Sequence, residues 1–252
     1  MNLEKAKIEF IKYTQNYDWE NENIERKQLH SLRVMEISKE IAKGLQLDQD
    51  KIDLATLIGL LHDIARFEQY TQFKTYKDLE SFDHGDFGAQ ILEKDIRKYV
   101  ENKQFDEIII KAVKNHNKLK IEEGLTKTEE LYAKIIRDAD KIDILYETVE
   151  IFWKGKESEV ENSVISEDVI QQIEDKSQIK QKLEESPVDK IMKFIAFIFD
   201  MNFKISFKIL KDEDYINKIL NRYNFKDEYT KQKVEEIRDI ANIYIHEKAK
   251  EG

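Results

Sequence analysis

The chain has 252 residues, with 42 Lys and Arg against 52 Asp and Glu and a net charge of −10. Seven Gly, one Pro and no Cys exclude sandwiches, barrels and doubly wound sheets, whose frequent turns consume Gly and Pro. Disulfide scaffolds, thiol nucleophiles and Cys-based metal sites go with them, and an all-α protein of long helices with few connections remains.

In chain order, a first helix is predicted over Leu3 to Tyr17, with Ile8, Phe10 and Ile11 as its apolar side. A second runs from about Glu22 to Gln46, where Ile24, Leu29, Leu32, Met35, Ile37 and Ile41 recur at helical spacing. Gly44 near its end and Asp48 as N-cap separate it from a third, Gln49 to Ala65, with the apolar core LATLIGLLHDIA. Phe67 to Phe82 has no clean period and reads as a loop with a short helical turn. His84 to Tyr99 and Asp106 to Asn115 are two further helices. Leu131 to Phe152, apolar on more than one side, is expected to be central. The polar, Gln-, Glu- and Ser-rich stretch 154–187 reads as a surface helical excursion. Beyond Pro187 the apolar density rises through IMKFIAFIFDMNFKISFKIL, and an amphipathic helix closes the chain from Lys226 to about Lys248. The expectation is one helical domain over 1–252, with a core at about 22–152 and C-terminal helices 188–250 packing on that core. The aromatic-rich helix after Pro187 needs an apolar partner, which the central helices can supply.

The N-terminal MNLEKAKIEFIKY has no signal-peptide core. The longest purely apolar run, Phe194 to Phe199, falls far short of the ~20 residues that span a bilayer. A soluble cytoplasmic protein with no membrane partner is expected. The acidic balance argues against duplex nucleic acid, which requires a basic surface. A small anionic substrate stays open, because a metal ion reverses the local field.

The chemistry centres on His62–Asp63, which interrupts the apolar run ATLIGLLHDIARF. Burying a carboxylate without a partner costs several kcal/mol, so something must compensate. A hydrogen-bonded His–Asp pair in the core would do it. So would a divalent metal, since neutral imidazole and carboxylate oxygen both ligate first-row ions. Of the five histidines, four fall on or at the start of different predicted helices: His30, His62, His84 and His116. His30 is in phase with Val34 and Ile37. His84 opens DHGDFGAQIL, where Gly85 and Gly88 allow a neighbouring helix close approach, and His116 ends IIIKAVKNHN. Taken singly each suits a core or cap position, but together with buried acids on packed helices they suit a metal site in a bundle. His246 lies in a charged tail helix and is expected to be solvated. In RDADKID, Asp138 is in phase with Leu131, Ile135, Ile142 and Leu145, and Asp140 with Ala133, Ile136 and Ile144. Both faces are apolar, so periodicity does not choose between the two acids.

The ordered set HSLRV, LLHDIARF, HGDFGAQIL, the KNHN histidine and DADKID, over residues 25 to 150, resembles the HD-domain superfamily of metal-dependent phosphohydrolases. The resemblance implies an all-α helical bundle around a central metal site. It implies metal ligands His30, His62, Asp63, His84, His116 and Asp140, with DKID favouring Asp140 over Asp138. The two extra histidines, His84 and His116, resemble the subset with a two-metal centre bridged by Asp63. Members of that subset include cyclic-dinucleotide phosphodiesterases, a symmetrical diadenosine tetraphosphate hydrolase and some di-iron oxygenases. The Gly-Tyr-Pro signature of the cyclic-dinucleotide branch is absent here.

The implied activity is metal-dependent hydrolysis of a nucleotide or related phosphoester or phosphoanhydride. Two divalent ions (Fe, Mn, Co, Ni, Zn or Mg) would neutralise phosphoryl oxygens and activate a water for in-line attack. Asp63 and Arg66 are the catalytic candidates. Arg33, one turn beyond His30, Arg66, one turn beyond His62, and Lys141 are candidates to hold substrate phosphate; the alternative is a surface salt bridge, which for Lys141 is the favoured reading. The rivals are a di-iron oxygenase on the same ligand set and a catalytically inactive HD module that senses nucleotides.

Overall fold

The computed structural model describes residues 1–180 and 185–250, and these fall into two compact units, Met1–Asp140 and the chain from Lys141 onward. No strand occurs among the described residues, so the protein is all-α.

The first unit begins with α1 (Leu3–Thr14), α2 (Glu22–Gly44) and α3 (Gln49–Leu61). Asn2, Asn21 and Asp48 cap them, each side chain accepting a backbone N–H of the first turn. Helix α3 is buried from Leu54 to Leu61 on every side, as a helix apolar all round must be. It packs against α2 and α1. Where α2 meets α3 the backbones nearly touch. A Cβ on Gly59 would come within 2.8 Å of the Val34 carbonyl and 2.9 Å of Met35 Cα.

Two details of phase differ from the hydrophobic pattern. Helix α1 turns Ala6, Phe10 and Thr14 inward and leaves Ile8 exposed, and α2 buries Lys27, Gln28, His30 and Ser31 while Leu29 is exposed. The buried face of α2 is therefore partly polar, which an apolar-period search reads backwards.

The third predicted helix is broken. It stops at Leu61, and His62–Ala65 form a tight turn whose Ile64 and Arg66 amides donate to the Leu61 and Asp63 carbonyls. The segment expected as a loop then forms the eight-residue helix α4 (Arg66–Phe73), followed by a 3-10 turn at Asp78–Glu80. Phe67, fully buried with its ring 5.9 Å from that of Phe10, supplies the apolar contact that makes α4 worth forming. Helices α5 (His84–Asp95) and α6 (Asp106–Asn115) pack together, and α7 (Lys127–Glu150) follows. Every residue from Tyr132 to Ala139 is buried except Lys134.

The α5–α6 contact depends on Gly85. A Cβ there would lie 2.3 Å from Asn117 Oδ1 and 2.7 Å from the Lys114 carbonyl. Gly85→Ala is therefore expected to lower stability by about 1–3 kcal/mol through forced separation of the two helices. A urea midpoint within error of wild type would contradict that.

In the second unit come α8 (Glu157–Glu161), α9 (Glu167–Glu174), α10 (Pro187–Ile195), α11 (Lys204–Glu213), α12 (Tyr215–Leu220) and α13 (Glu228–Lys250). In the stretch read as a surface excursion, of which 181–184 lie outside the described residues, α8 and α9 are helical yet Val160, Val169, Ile170 and Ile173 are buried. Pro187 sits at the first turn of α10 behind the Ser186 cap, where its missing N–H has no partner to lose. Helix α13 packs on α11 and α12. No helix among the described residues is long and apolar enough to cross a membrane.

Candidate metal centre

Four elements of the first unit bring the imidazoles together. His30 comes from α2, His62 from the turn after α3, His84 from the first residue of α5 and His116 from the C-cap of α6. All four are at least 96% buried, between 0% and 4% exposed. They meet as two pairs, His30 Nε2 lying 3.1 Å from His62 Nε2 and His84 Nε2 3.0 Å from His116 Nε2.

Asp63 lies between the pairs, 2% exposed. Its Oδ2 is 3.4 Å from His30 Nε2 and 3.5 Å from His62 Nε2, while its Oδ1 is 3.5 Å from both His84 and His116 Nε2. Asp140, on α7, places Oδ1 3.1 Å from His30 Nε2 and 3.6 Å from His62 Nε2. Asp138, two residues earlier and about 200° away around the helix, is also buried but faces another side of α7. His30, His62 and Asp140 offer ligand atoms all within 4.8 Å of one another, and so do His62, Asp63 and His116.

The tautomers show what the cluster is suited to hold. His62 Nδ1 lies 2.8 Å from the Gly59 carbonyl and His116 Nδ1 2.6 Å from the Val113 carbonyl. A carbonyl only accepts, so both Nδ1 atoms carry the proton. His84 Nδ1 lies 2.6 Å from the Asp78 carboxylate and is protonated for the same reason. The Nε2 atoms of His84 and His116 are then two lone pairs facing each other at 3.0 Å. Two acceptors in that position repel unless a cation sits between them. The donor set, imidazole nitrogens with carboxylate oxygens and no sulfur, fits a first-row divalent ion.

The electrostatics agree. Burial lowers the pKa of His62. Burial and the nearby Arg66 guanidinium lower that of His84 to about 4, against the pull of Asp78. Both rings are therefore neutral at pH 7, the form that ligates metals. Burial works against ionisation of Asp63, but the Lys27 ammonium, His62 and Arg66 outweigh it and hold the group well below the usual carboxylate range. For Asp140, the adjacent imidazoles of His30 and His62 outweigh burial in the same way. The sign for stability follows from His84. Above pH ~6.5 the ring is neutral in both folded and unfolded chains; below it the unfolded chain takes up a proton that the folded protein refuses. Metal-free protein is expected to lose stability from pH 6.5 down to about 4, with a slope approaching about 1.4 kcal/mol per unit from this group alone. Urea titrations showing a flat profile across that window would contradict the burial argument.

Three supporting side chains were not among the site residues expected from the sequence. Lys27 Nζ lies 2.7 Å from Asp63 Oδ2, one helical turn before His30, and is 8% exposed. Asp78 orients His84 from the loop six residues upstream, and its own pKa is lowered because His84 and Arg66 overcome its burial. Gln69, fully buried, donates to Asp78, Ser81 and Phe82 and accepts from Arg66. Only the i−3 spacing of Lys27 from His30 could have been read in advance.

Of the phosphate-binding candidates, Arg66 has Nε 3.3 Å from Asp63 Oδ1, and its Nη1 donates to Gln69, the Tyr76 carbonyl and Asp78. Arg33 is half-buried on α2, one turn beyond His30. Lys141 is buried and ion-paired with Asp200. His246 is exposed on α13.

Residues 29–145 match the family model for the HD domain. This segment is an HD domain. The match runs from just before His30 to just beyond Asp140 and so contains all six clustered residues. No curated protein and no solved structure matches the chain. HD domains bind divalent metals, and the His/Asp groups of this one are arranged so that they could hold such an ion.

Proposed function

We propose that this HD domain is a metal-dependent phosphohydrolase acting on a nucleotide or a related phosphoester or phosphoanhydride. One ion would be held by His30, His62 and Asp140, a second by His84 and His116, with Asp63 common to both. A single observation carries this reading: the two oxygens of Asp63 face different histidine pairs. A carboxylate serving one ion would not need that division.

Bound divalent ions neutralise phosphoryl oxygens and lower the pKa of a water toward neutrality. The chain's own residues supply the rest. Asp63 and Asp140, both ionised, balance the ionic charge. Asp78 fixes the tautomer of His84, the role that outer carboxylates play for metal-ligating histidines. Lys27 and Arg66 hold Asp63 from two sides and add positive charge for an anionic substrate. Since Nε and Nη1 of Arg66 are engaged within the protein, its contact with substrate falls to Nη2. Arg33 is the second candidate contact. The complete ligand set weighs against an inactive sensing module.

The test is metal analysis of protein purified without chelator, followed by a phosphate-release screen across nucleotides with manganese, iron and cobalt. Chelator-sensitive phosphate release supports the reading. Oxygen consumption by iron-loaded protein without phosphate release would replace it with the di-iron oxygenase. Neither activity, with nucleotide bound, would leave a sensing module.

A further inference from the structure

Arg137 is 2% exposed on α7, one helical turn before Asp140, and its guanidinium donates to a group of backbone carbonyls. Its Nη1 lies 3.0 Å from the Asn115 carbonyl and 3.4 Å from that of His116, and also donates to the Lys118 carbonyl. Nη2 lies 3.4 Å from the Leu119 carbonyl. These carbonyls belong to the end of α6 and the chain just beyond it, where a helix leaves its last acceptors without intrahelical partners. A guanidinium, with five donors in a rigid planar fork, can serve several carbonyls at once and also complements the negative end of the helix dipole. The same stretch is fastened from the other side, since the Glu122 amide donates to Asn115 Oδ1 at 2.8 Å.

His116 is the C-cap of α6, in the middle of this arrangement. Its ring is oriented by a hydrogen bond to the Val113 carbonyl at 2.6 Å, so its Nε2 reaches His84 and Asp63 only while the helix end keeps its shape. We infer that Arg137 is a positioning residue for His116. It anchors the α6 terminus from the same turn of α7 that presents Asp140 to the other histidine pair. One helix thus sets both halves of the cluster, Asp140 by its own carboxylate and His116 through the Arg137 fork. Without the fork, four carbonyls at the end of α6 and just beyond it would lose a donor, and the His116 ring would lose its fixed direction. The site would then fail on the His84–His116 side first, with the His30–His62–Asp140 side intact. The inference rests on the proposed two-ion reading only for its metal consequence; the ring geometry is independent of it.

Two measurements separate these layers. Imidazole nitrogen–proton correlation spectra of metal-free protein should show a slowly exchanging Nδ1–H for His116 and for His62. In Arg137→Met, which keeps the apolar stem but removes every donor, the His116 signal should vanish or broaden while that of His62 persists. In titrations with manganese, the weaker of two binding steps should fall at least tenfold in affinity and the tighter one change less than threefold. Arg137→Lys should recover part of both losses. If Arg137→Met does not fold, Arg137→Lys alone decides, because one ammonium cannot serve all the carbonyls. A His116 exchange rate at least threefold faster than wild type is expected. An unchanged His116 signal in folded variant protein would overturn the inference, whatever the stability. Wild type that takes up a single ion would instead overturn the two-ion reading and leave the ring measurement as the test of Arg137.

Discussion

Asp63→Asn should reduce phosphate release by at least about a thousandfold, a loss of about 4 kcal/mol in transition-state stabilisation. The substitution keeps the volume of the side chain and removes its charge. Lys27 at 2.7 Å and Arg66 at 3.3 Å then face a neutral amide in a buried position. The amide also cannot offer a negative oxygen to each histidine pair. Metal content should drop from two ions to at most one, and excess metal should restore little. Loss of His84 or His116 should be milder and partly rescued by added metal, since each serves one side of the cluster. Breaking a buried ion pair costs about 3–5 kcal/mol of stability by itself, so the comparison belongs in protein shown to be folded. Folded Asp63→Asn with near wild-type phosphate release would sink the mechanism.

The second large effect separates two acids that lie two residues apart. Asp140→Ala should abolish activity and the tighter metal site, because its Oδ1 sits 3.1 Å from His30 Nε2 and 3.6 Å from His62 Nε2 and completes the group those two rings form. Asp138→Ala should keep its metal and lose about 1–3 kcal/mol of stability, the cost of disrupting a buried polar group. Metal analysis of the two purified variants, beside their thermal melts, reads both outcomes. The reverse pattern would mean that Asp138 is the ligand.

The all-α class was legible because it follows from counts of Gly and Pro, which no tertiary contact can alter. The helices from Glu22 to Asn115 were legible where their buried faces are apolar. Legibility failed where burial serves chemistry. Lys27 reads as one more charge in ERKQLH, and only the fold shows that its ammonium closes on a carboxylate 36 residues away. Asp78 reads as loop, because its value lies in reaching His84 and Arg66 rather than in any period. The break at His62–Ala65 was hidden for a different reason. LIGLLHDIARF has the composition of a continuous helix, and what ends it combines a local contact with a tertiary one: the His62 ring caps back onto Gly59 while Phe67 restarts a helix against Phe10. The choice of Asp140 over Asp138 required direction around α7, which periodicity with two apolar faces could not supply.

The anchoring of the rings through Nδ1 has a consequence for how metal and folding are related. His62 and His116 are each tied to a carbonyl three residues earlier in their own helix, and His84 to a carboxylate six residues upstream. These fastenings involve no ion, so the ring directions are set when the polypeptide folds. In small zinc modules the metal organises the chain, and the free energy of binding is the free energy of folding. Here the two are largely uncoupled. An arriving ion meets ligands whose rotational freedom is already spent, and its affinity reflects coordination and dehydration with little deduction for ordering the polypeptide. Stripping the metal should silence this protein while leaving its helices standing, which makes the centre reversible: it can be emptied, refilled with a different ion and compared on the same scaffold.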